Sequence, residues 1–244
     1  LSTPFDPDRA RLIRSVGCQA VKIASGDLTY TELLVEVGGY GLPVFLSTGM
    51  STLAEIEAAL NWLDPEGTGQ VVLLHCVAAY PPEPAEANLR ALTTLAQVFG
   101  RPVGLSDHYP GHSLALAAVA LGACVIEKHV TDSRQAGTPD APHSLEVSEF
   151  QRLVEAVRRL ETALGDGIKR PMPSEAGGRV EGRRCIYAAK DLPAGRVLGR
   201  DDLAVVRPNA GPIPPKGLAK IIGWRTKRFI PLGTPIRWDL LEKS

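Results

Sequence analysis

The chain has 244 residues, of which 44% are hydrophobic, and its 27 basic residues balance its 27 acidic ones. A chain of this length can bury a large core and can form one large domain or two smaller ones. The absence of net charge and of a basic cluster argues against a nucleic acid or an anionic membrane surface as partner. The sequence shows neither a signal-peptide pattern nor an apolar stretch of membrane-spanning length, so we expect a soluble, cytoplasmic protein.

Strands and helices are predicted to alternate along the first two thirds of the chain. Short apolar runs that end in polar residues predict the strands, and apolar residues at helical spacing predict the helices. The predicted strands begin near residues 20, 43, 71, 103 and 124, and predicted helices cover residues 6–17, 31–37, 88–99, 114–121 and 148–164. A further helix is predicted to begin with Ser51 as its cap and to carry Glu55 and Glu57 in its first turns.

This regular alternation, with short connections, indicates an α/β fold with a parallel sheet. The five strands and the stub of another at Ser2 fit the later part of a (β/α)₈ TIM barrel, which typically needs about 250 residues. Because the repeat ends near residue 165, we expect roughly the first third of such a barrel to be missing. An open, doubly wound sheet is the competing fold, and it needs no missing part.

The rest of the chain divides into a linker and a small second domain. Residues 165–183 are rich in glycine, proline and charge, which is typical of a linker. Residues 184–244 contain many turn signals and two similar segments, which begin at Pro193 and Pro231 and each predict a turn, a short strand and a one-turn helix. We therefore predict a barrel portion over 1–164, a linker over 165–183 and a small, mainly β domain over 184–244.

Two histidines follow consecutive predicted strands, one in the sequence SDH and the other in EKH. Because the carboxyl ends of parallel strands gather on one face, His108 and His129 are expected to converge and to suit a divalent metal. Each histidine can instead satisfy a hydrogen bond at its strand end, and the residues alone leave both interpretations open. Lys22 lies inside an apolar strand, where an unpaired charge is costly, which favours a functional role. Asp107 and Glu127 are expected to orient the histidines rather than to bind metal.

Several short motifs occur in a fixed order along the chain. They are STPFD at 2–6, VKIASGD at 21–27, LSTGM at 46–50, LLHC and YP within 73–81, GLSDH at 104–108, EKH at 127–129 and RP at 207–208. Together they resemble the sialic acid synthase family, which includes N-acetylneuraminate, legionaminate and spore-coat polysaccharide synthases. The segment 184–244 resembles the antifreeze-like SAF domain that ends these enzymes. The ordered set is specific, although no single motif is.

The resemblance implies a transferase of the N-acetylneuraminate synthase type. Such an enzyme condenses phosphoenolpyruvate with N-acetylmannosamine or a related N-acylated six-carbon amino sugar, giving a nine-carbon 2-keto sugar acid for polysaccharide biosynthesis and phosphate. The resemblance implies a divalent ion, manganese first and magnesium or cobalt next, bound by His108 and His129, which act in catalysis with Lys22. It also implies a homodimer, because Arg207 matches an arginine that the tail domain delivers to the site of the other subunit.

The resemblance also assigns the contacts with the two substrates. The positions that hold phosphoenolpyruvate in the family are matched by Thr3, Lys22, Ser25, Ser47 and Ser106, and those that contact the sugar by Asp27, Tyr80 and Asp140. Hydroxyl and ammonium donors of this kind suit a ligand with several negative charges. The serines can also be ordinary strand-end or helix-cap residues.

The chain departs from the family pattern at several places. Asp27 stands where a glutamate is common, Ala78 replaces a polar residue, and residues 137–143 differ from the usual glycine-proline-aspartate run that contains Asp140. The first strands of the family, with a catalytic glutamate and a second lysine for phosphoenolpyruvate, have no counterpart in the sequence. We therefore expect weak folding and no turnover from this chain alone.

Two other functions remain open at this point. A metal-dependent aldolase or lyase on a related barrel would form a Schiff base, for which Lys22 and Lys128 are candidates. A non-catalytic saccharide-binding or dimerisation fragment would bind sugar without depending on metal. The sequence does not decide which sugar or which metal is used.

Overall fold

The computed structural model describes residues 1–68 and 70–243 of the chain. It divides into two compact units, of which unit 1 spans Leu1–Gly167 and unit 2 spans Ile168–Ser244. Among the described residues, no helix is both long enough and apolar enough to cross a membrane.

Unit 1 alternates strands and helices. Its five main strands are β1 (Val21–Ile23), β2 (Val44–Ser47), β3 (Val71–Cys76), β4 (Val103–Asp107) and β5 (Val125–Lys128). Its helices are α1 (Pro7–Ser15), α2 (Thr31–Gly38), α3 (Leu53–Leu63), α4 (Ala91–Phe99), α5 (Ser113–Ala120) and α6 (Val147–Leu164). Between β5 and α6 lies a short parallel pair, β6 (Val130–Thr131) with β7 (Leu145–Glu146).

The five main strands form one parallel sheet in which each strand pairs with the next one in the sequence. A doubly wound sheet reverses its strand order at a switch point. The uninterrupted order of β1 to β5 is instead that of an arc of a (β/α)₈ barrel. The prediction of a parallel α/β sheet is confirmed, and the strands of the described residues form an arc rather than a complete barrel. Ser2 extends the sheet beside β1 by a single bridge to Val21.

The sheet is strongly curled. Lys22 on β1 and Glu127 on β5 form an ion pair, with 3.2 Å between Nζ and Oε2. A flat sheet would hold these two outer strands about 19 Å apart, because neighbouring strands are spaced by about 4.8 Å. Side chains on the concave face of the sheet therefore converge from both of its edges.

The core of unit 1 lies between the sheet and the helices, and one glycine sets how closely the central strands approach. A Cβ atom on Gly104 in β4 would lie 2.6 Å from Leu74 Cδ2 on β3 and 2.6 Å from the Val125 carbonyl oxygen on β5. Interiors are packed too densely to absorb such an atom. The buried apolar residues of this core include Val21, Ile23, Leu46, Leu73, Leu92, Leu105 and Ala118.

The helix starts follow from short-range capping. Asp6 accepts a hydrogen bond from the Arg9 amide and caps α1. The prediction that Ser51 caps α3 is wrong, because Thr52 occupies that position. The Thr52 hydroxyl accepts from the Glu55 amide at 3.3 Å, and the Glu55 carboxylate accepts from the Thr52 amide at 2.7 Å. This reciprocal pair of hydrogen bonds forms only when the cap residue lies three positions before the glutamate. Thr52 has this spacing from Glu55, and Ser51 does not.

Unit 2 is small and mainly β. It contains α7 (Ala176–Glu181), β8 (Cys185–Ala188), β9 (Leu203–Val206), α8 (Leu218–Ile221), β10 (Arg225–Thr226) and β11 (Leu241–Glu242), with β8 antiparallel to β9 and β10 antiparallel to β11. In its two similar segments, Gly195 and Gly233 take positive φ values of 78° and 75°, and the one-turn helices Arg200–Asp202 and Trp238–Leu240 follow. The predicted turns and one-turn helices are confirmed, whereas the predicted strands between them are single bridges.

Candidate active site

A buried lysine lies on the concave face of the curled sheet. Lys22 is 8% exposed and contacts Glu127 across the arc. Ser106, at the end of β4, donates a hydrogen bond of 2.6 Å to the other oxygen of the same carboxylate. Glu127 therefore holds together an ammonium and a hydroxyl that the sequence predicts to contact phosphoenolpyruvate.

Further hydroxyl groups lie at the ends of β1 and β2. Ser25 follows β1 and accepts a hydrogen bond of 3.0 Å from the Gly49 amide. A Cβ atom on Gly49 would lie 2.8 Å from Ser25 Oγ and 3.3 Å from Cys76 Sγ, so only glycine fits between them. Ser47 ends β2, and its Oγ is buried without a hydrogen-bond partner among the described residues. Burial raises the pKa of the Cys76 thiol, against the effect of hydrogen bonds with Ser25 and Ser106.

Two other predicted contacts flank β1. Ser2 accepts a hydrogen bond from the Lys22 amide through its carbonyl oxygen, and this pairing places the half-buried Thr3 next to the strand. Asp27 ends the single 3₁₀ turn that follows β1 and is half-buried. Burial raises the pKa of its carboxyl group. Both residues belong to the same end of the sheet as Lys22.

His108 follows β4 and is 5% exposed. Its Nδ1 lies 3.0 Å from the Val77 carbonyl oxygen, an arrangement in which the ring donates through Nδ1 and keeps Nε2 for a ligand. Burial lowers the pKa of this imidazole, and the nearby ring of His129 lowers it further, whereas the hydrogen bond to Val77 acts in the opposite direction. The centroids of the two histidine rings are 5.2 Å apart, so the predicted pair does converge.

A third histidine joins this cluster, and the sequence reasoning missed it. His129 Nδ1 lies 3.5 Å from Asp140 Oδ2, and His143 Nε2 lies 3.7 Å from Asp140 Oδ1. His143 is in the 3₁₀ turn Ala141–His143 that follows Asp140, and the only signal for it in the sequence is the Asp-x-x-His spacing. The ring centroids of His129 and His143 are 5.2 Å apart.

Tyr80 lies among the three imidazoles. Its ring centroid is 4.0 Å from that of His108, 5.9 Å from His129 and 5.2 Å from His143. The side chain is nevertheless 53% exposed, and burial raises the pKa of its hydroxyl. The structure thus brings four of the predicted site residues together, namely Tyr80, His108, His129 and Asp140.

A buried ion pair fixes the segments that carry the two strand-end histidines. Lys128 Nζ lies 2.8 Å from Asp107 Oδ2, with side-chain exposures of 0% and 3%, and it also donates to the Tyr109 carbonyl oxygen. The other Asp107 oxygen accepts from the Tyr109 amide at 2.9 Å. Asp107 and Lys128 directly precede His108 and His129, so this pair holds the ends of β4 and β5 together.

Arg207 lies in unit 2, in the loop that follows β9, and it is exposed. The peptide bond between Arg207 and Pro208 is cis. The predicted delivery of this arginine to the site of another subunit stays a prediction.

The imidazole cluster can hold a divalent metal. The ligand atoms of His129, Asp140 and His143 all lie within 4.8 Å of one another. Burial lowers the pKa of His143, as it does that of His108, and this favours the neutral imidazole that binds metal. Nitrogen donors with one carboxylate suit ions such as manganese, cobalt and zinc. These three residues therefore fit a divalent ion, and His108, the other ligand that the resemblance implies, is not among them.

Comparison with known protein families agrees with this architecture. Residues 1–169 match the NeuB family, and residues 183–242 match the SAF domain. The chain belongs to the NeuB family. It carries the SAF domain after the family region, as the sequence motifs indicate.

Individual relatives extend the comparison. The chain is 37% identical to N,N'-diacetyllegionaminic acid synthase of Legionella pneumophila over 99% of its own length and 69% of that protein. The structure of spore coat polysaccharide biosynthesis protein from Bacillus subtilis superposes with a TM-score of 0.63 at 30% identity, covering 100% of this chain and 73% of that one. The N-acetylneuraminic acid synthetase of Leptospira borgpetersenii, solved with citrate, gives 0.67 at 38% identity, covering 72% and 61%.

Proposed function

We propose that this NeuB-family chain carries the substrate site of a synthase that condenses phosphoenolpyruvate with an N-acylated six-carbon amino sugar. The products are a nine-carbon 2-keto sugar acid and phosphate. The observation that carries the proposal is the arrangement of a buried lysine and strand-end hydroxyl groups beside an imidazole cluster, at one end of one curled sheet. The names of the relatives support this reaction class.

The lysine side of the site suits the phosphate and carboxylate groups of phosphoenolpyruvate. Lys22, which pairs with Glu127, supplies one buried positive charge, and Ser47 supplies a hydroxyl that has no hydrogen-bond partner among the described residues. Ser25 and Ser106 add two further hydroxyls at the same end of the sheet, and we assign Thr3 to this group. Preorganised donors of this kind stabilise the charge that develops on the departing phosphate.

The imidazole side of the site suits the aldehyde form of the sugar. When bound by His108 and His129, a divalent ion, manganese in our proposal, supplies a Lewis acid for the aldehyde oxygen. Tyr80 forms one wall beside the imidazoles, and Asp140, with a side chain that is 64% exposed, offers a carboxylate edge to sugar hydroxyl groups. Asp27 provides a second carboxyl group at the end of β1. Its side chain is one methylene shorter than the glutamate common in the family.

We further propose a barrel portion over 1–164, a linker over 165–183 and an SAF domain over 184–244, which acts in a homodimer. The match of the SAF domain to residues 183–242 supports the last boundary. The exposed guanidinium of Arg207 is available to bind an anion in the site of the other subunit. Because phosphoenolpyruvate is an intermediate of cytoplasmic metabolism, we expect the protein in the cytoplasm.

The test is release of phosphate from phosphoenolpyruvate in the presence of manganese. It is measured with N-acetylmannosamine and with a dideoxy diamino sugar, on this chain and on a chain extended upstream. We expect the extended chain to show manganese-dependent release that His108→Ala abolishes and that His112→Ala, a substitution of an exposed histidine at the start of α5, leaves unchanged. Silence of both chains with both sugars would overturn the proposal.

A borohydride trap separates the synthase from a lyase. An aldolase or lyase that uses Lys22 or Lys128 forms an imine, which borohydride reduces to a stable adduct with the substrate. The synthase forms no imine and leaves the mass of the chain unchanged. Sugar binding that does not depend on metal, without turnover, would instead indicate a saccharide-binding fragment.

A further inference from the structure

The segment between β6 and α6 brings a histidine to the metal-binding cluster that does not lie at the end of a main strand. We propose that His143 is a direct metal ligand and that His129, Asp140 and His143 together bind one divalent transition ion. The inference rests on the proposed function only in that both use a divalent ion at this end of the sheet. It adds Asp140 and His143 to the pair His108 and His129, so Asp140 contacts the ion as well as the sugar.

The distances suit one shared ion. Ligand atoms around one ion, at bond lengths of about 2.0–2.2 Å, are separated from each other by roughly 3.0–3.6 Å. The two oxygens of Asp140 lie 3.5 Å from His129 Nδ1 and 3.7 Å from His143 Nε2. Both distances are too long for good hydrogen bonds but need only small side-chain movements to surround an ion. A metal therefore accounts for the spacing better than direct contact between the side chains does.

The Nε2 atom of His143 also lacks any other use. The side chain is 7% exposed, and this nitrogen is buried without a hydrogen-bond partner among the described residues. A buried polar atom that stays unpaired costs free energy, so such atoms are rare in folded proteins. Ligation by a metal would satisfy this nitrogen.

The backbone holds His143 in place before any metal binds. β7 follows His143 by one residue and pairs with β6, which itself follows His129 directly. The Leu145 amide donates to the His129 carbonyl oxygen at 2.9 Å, and the Ser144 hydroxyl donates to the Asp140 carbonyl oxygen at 2.6 Å. These two hydrogen bonds connect the segments that carry all three ligands, so the donor set is preorganised.

The test is metal binding by the 244-residue chain in the absence of substrates. Binding of Mn²⁺ is measured by calorimetry, and binding of Co²⁺ is measured by its visible absorption. We expect His143→Ala to weaken binding by about 10-fold or more and to change the Co²⁺ spectrum, because a ligand is lost. His112→Ala is the matched control and should bind as the unsubstituted chain does. His143→Gln, which keeps a polar side chain, serves as the second variant if the alanine variant does not fold. Folding is checked by circular dichroism without metal.

A measurement on the unsubstituted chain makes the result independent of variant folding. In a chain labelled with ¹⁵N-histidine, Zn²⁺ should shift the Nε2 resonance of His143 strongly, and that of His112 should not move. An unchanged His143 resonance at saturating Zn²⁺, or an unchanged affinity and Co²⁺ spectrum in His143→Ala, would overturn the inference. The metal-binding test contains no phosphoenolpyruvate. If the chain binds metal through His143 in this test but releases no phosphate in the assay with both substrates, only the proposed function is contradicted.

Discussion

The two units use buried polar side chains in opposite ways. In unit 2, the Thr226 hydroxyl accepts from the Arg196 amide and donates to the Pro193 carbonyl oxygen, so it is fully used by the fold. In unit 1, Ser47 Oγ and His143 Nε2 are buried without such partners among the described residues. An unpaired buried group costs about 1–3 kcal/mol. Burial of a polar group therefore does not mark a binding site by itself, whereas burial without a partner does.

Unit 2 also provides partners for a buried charged group. Asp202 is 1% exposed and contacts the Gly199 amide, Lys190 and Arg196. Burial alone would raise the pKa of this carboxyl, but the three contacts prevail and lower it to about 2. In unit 1, Asp107 with Lys128 is a comparable buried pair, and it lies beside the groups that we assign to ligand binding.

The largest expected effect comes from breaking that pair. Lys128→Met leaves the Asp107 carboxylate buried without its partner, and loss of one member of a buried ion pair costs about 3–5 kcal/mol. We expect the free energy of unfolding of unit 1 to fall by this amount. The measurement is unfolding in urea, monitored by far-ultraviolet circular dichroism. Arg158→Met is the control, because Arg158 and Glu161 are largely exposed and such pairs contribute about 0–1 kcal/mol. A loss below about 1 kcal/mol in Lys128→Met would mean that Asp107 finds another partner.

An intermediate effect is expected in unit 2, and it depends on pH. The folded pKa of Asp202, about 2, lies below its ordinary value of 3.8, so the ionised carboxylate stabilises the fold above about pH 4. This contribution, about 1–2 kcal/mol after allowance for its half-exposed partners, is lost as the pH falls from about 4 to about 2. Asp202→Asn should remove the contribution and flatten this part of the profile of stability against pH.

The measurement uses the positions of the tryptophans. In a Trp62→Phe background, fluorescence reports unfolding of unit 2 through Trp224 and Trp238. The exposed neighbour Asp201 provides the matched control, and Asp201→Asn should keep the profile of the unsubstituted chain. A profile for Asp202→Asn that still falls between about pH 4 and pH 2 in parallel with the unsubstituted chain would refute the assignment.

The smallest loss of stability, and the sharpest test of the comparison, is expected at Ser47. Ser47→Ala removes a buried hydroxyl that has no hydrogen-bond partner among the described residues, so the free energy of unfolding should not fall and should rise by up to about 1–3 kcal/mol. Thr226→Val, which removes two hydrogen bonds at a similarly buried position, should cost about 1–3 kcal/mol. Ser47→Ala should also weaken phosphoenolpyruvate binding by about 3- to 10-fold in calorimetry, since one bond to a charged ligand is lost. Full affinity together with a clear loss of stability would reverse our assignment.

The sequence predicts well where the strand-end residues lie. Lys22, His108 and His129 each lie within or directly after a short apolar run, and parallel strands bring such positions to one end of the sheet. The resemblance to a known family added Tyr80 and Asp140, which the structure places beside the imidazoles. Local patterns are sufficient for these residues because neighbouring parallel strands fix their relative positions.

The remaining features depend on long-range geometry that a linear pattern does not contain. His143 joins His129 only because β7 returns beside β6, and each of these strands is two residues long. The Lys22 to Glu127 ion pair requires the curl of the whole sheet. In unit 2, the strands predicted after the two glycine turns shrink to bridges, because only single residues such as Val197 find a pairing partner there.

Gly104 gives the site a weak point that lies outside it. The missing side chain lets β4 lie between Leu74 and Val125. Ser106 follows two residues later on the same strand, and His108 directly follows the strand. A single added methyl group would push β4 away from its neighbours and misalign these groups without touching any of them. A natural variant at this position would present in a genetic screen as a failure of catalysis, although every reactive group would still be encoded.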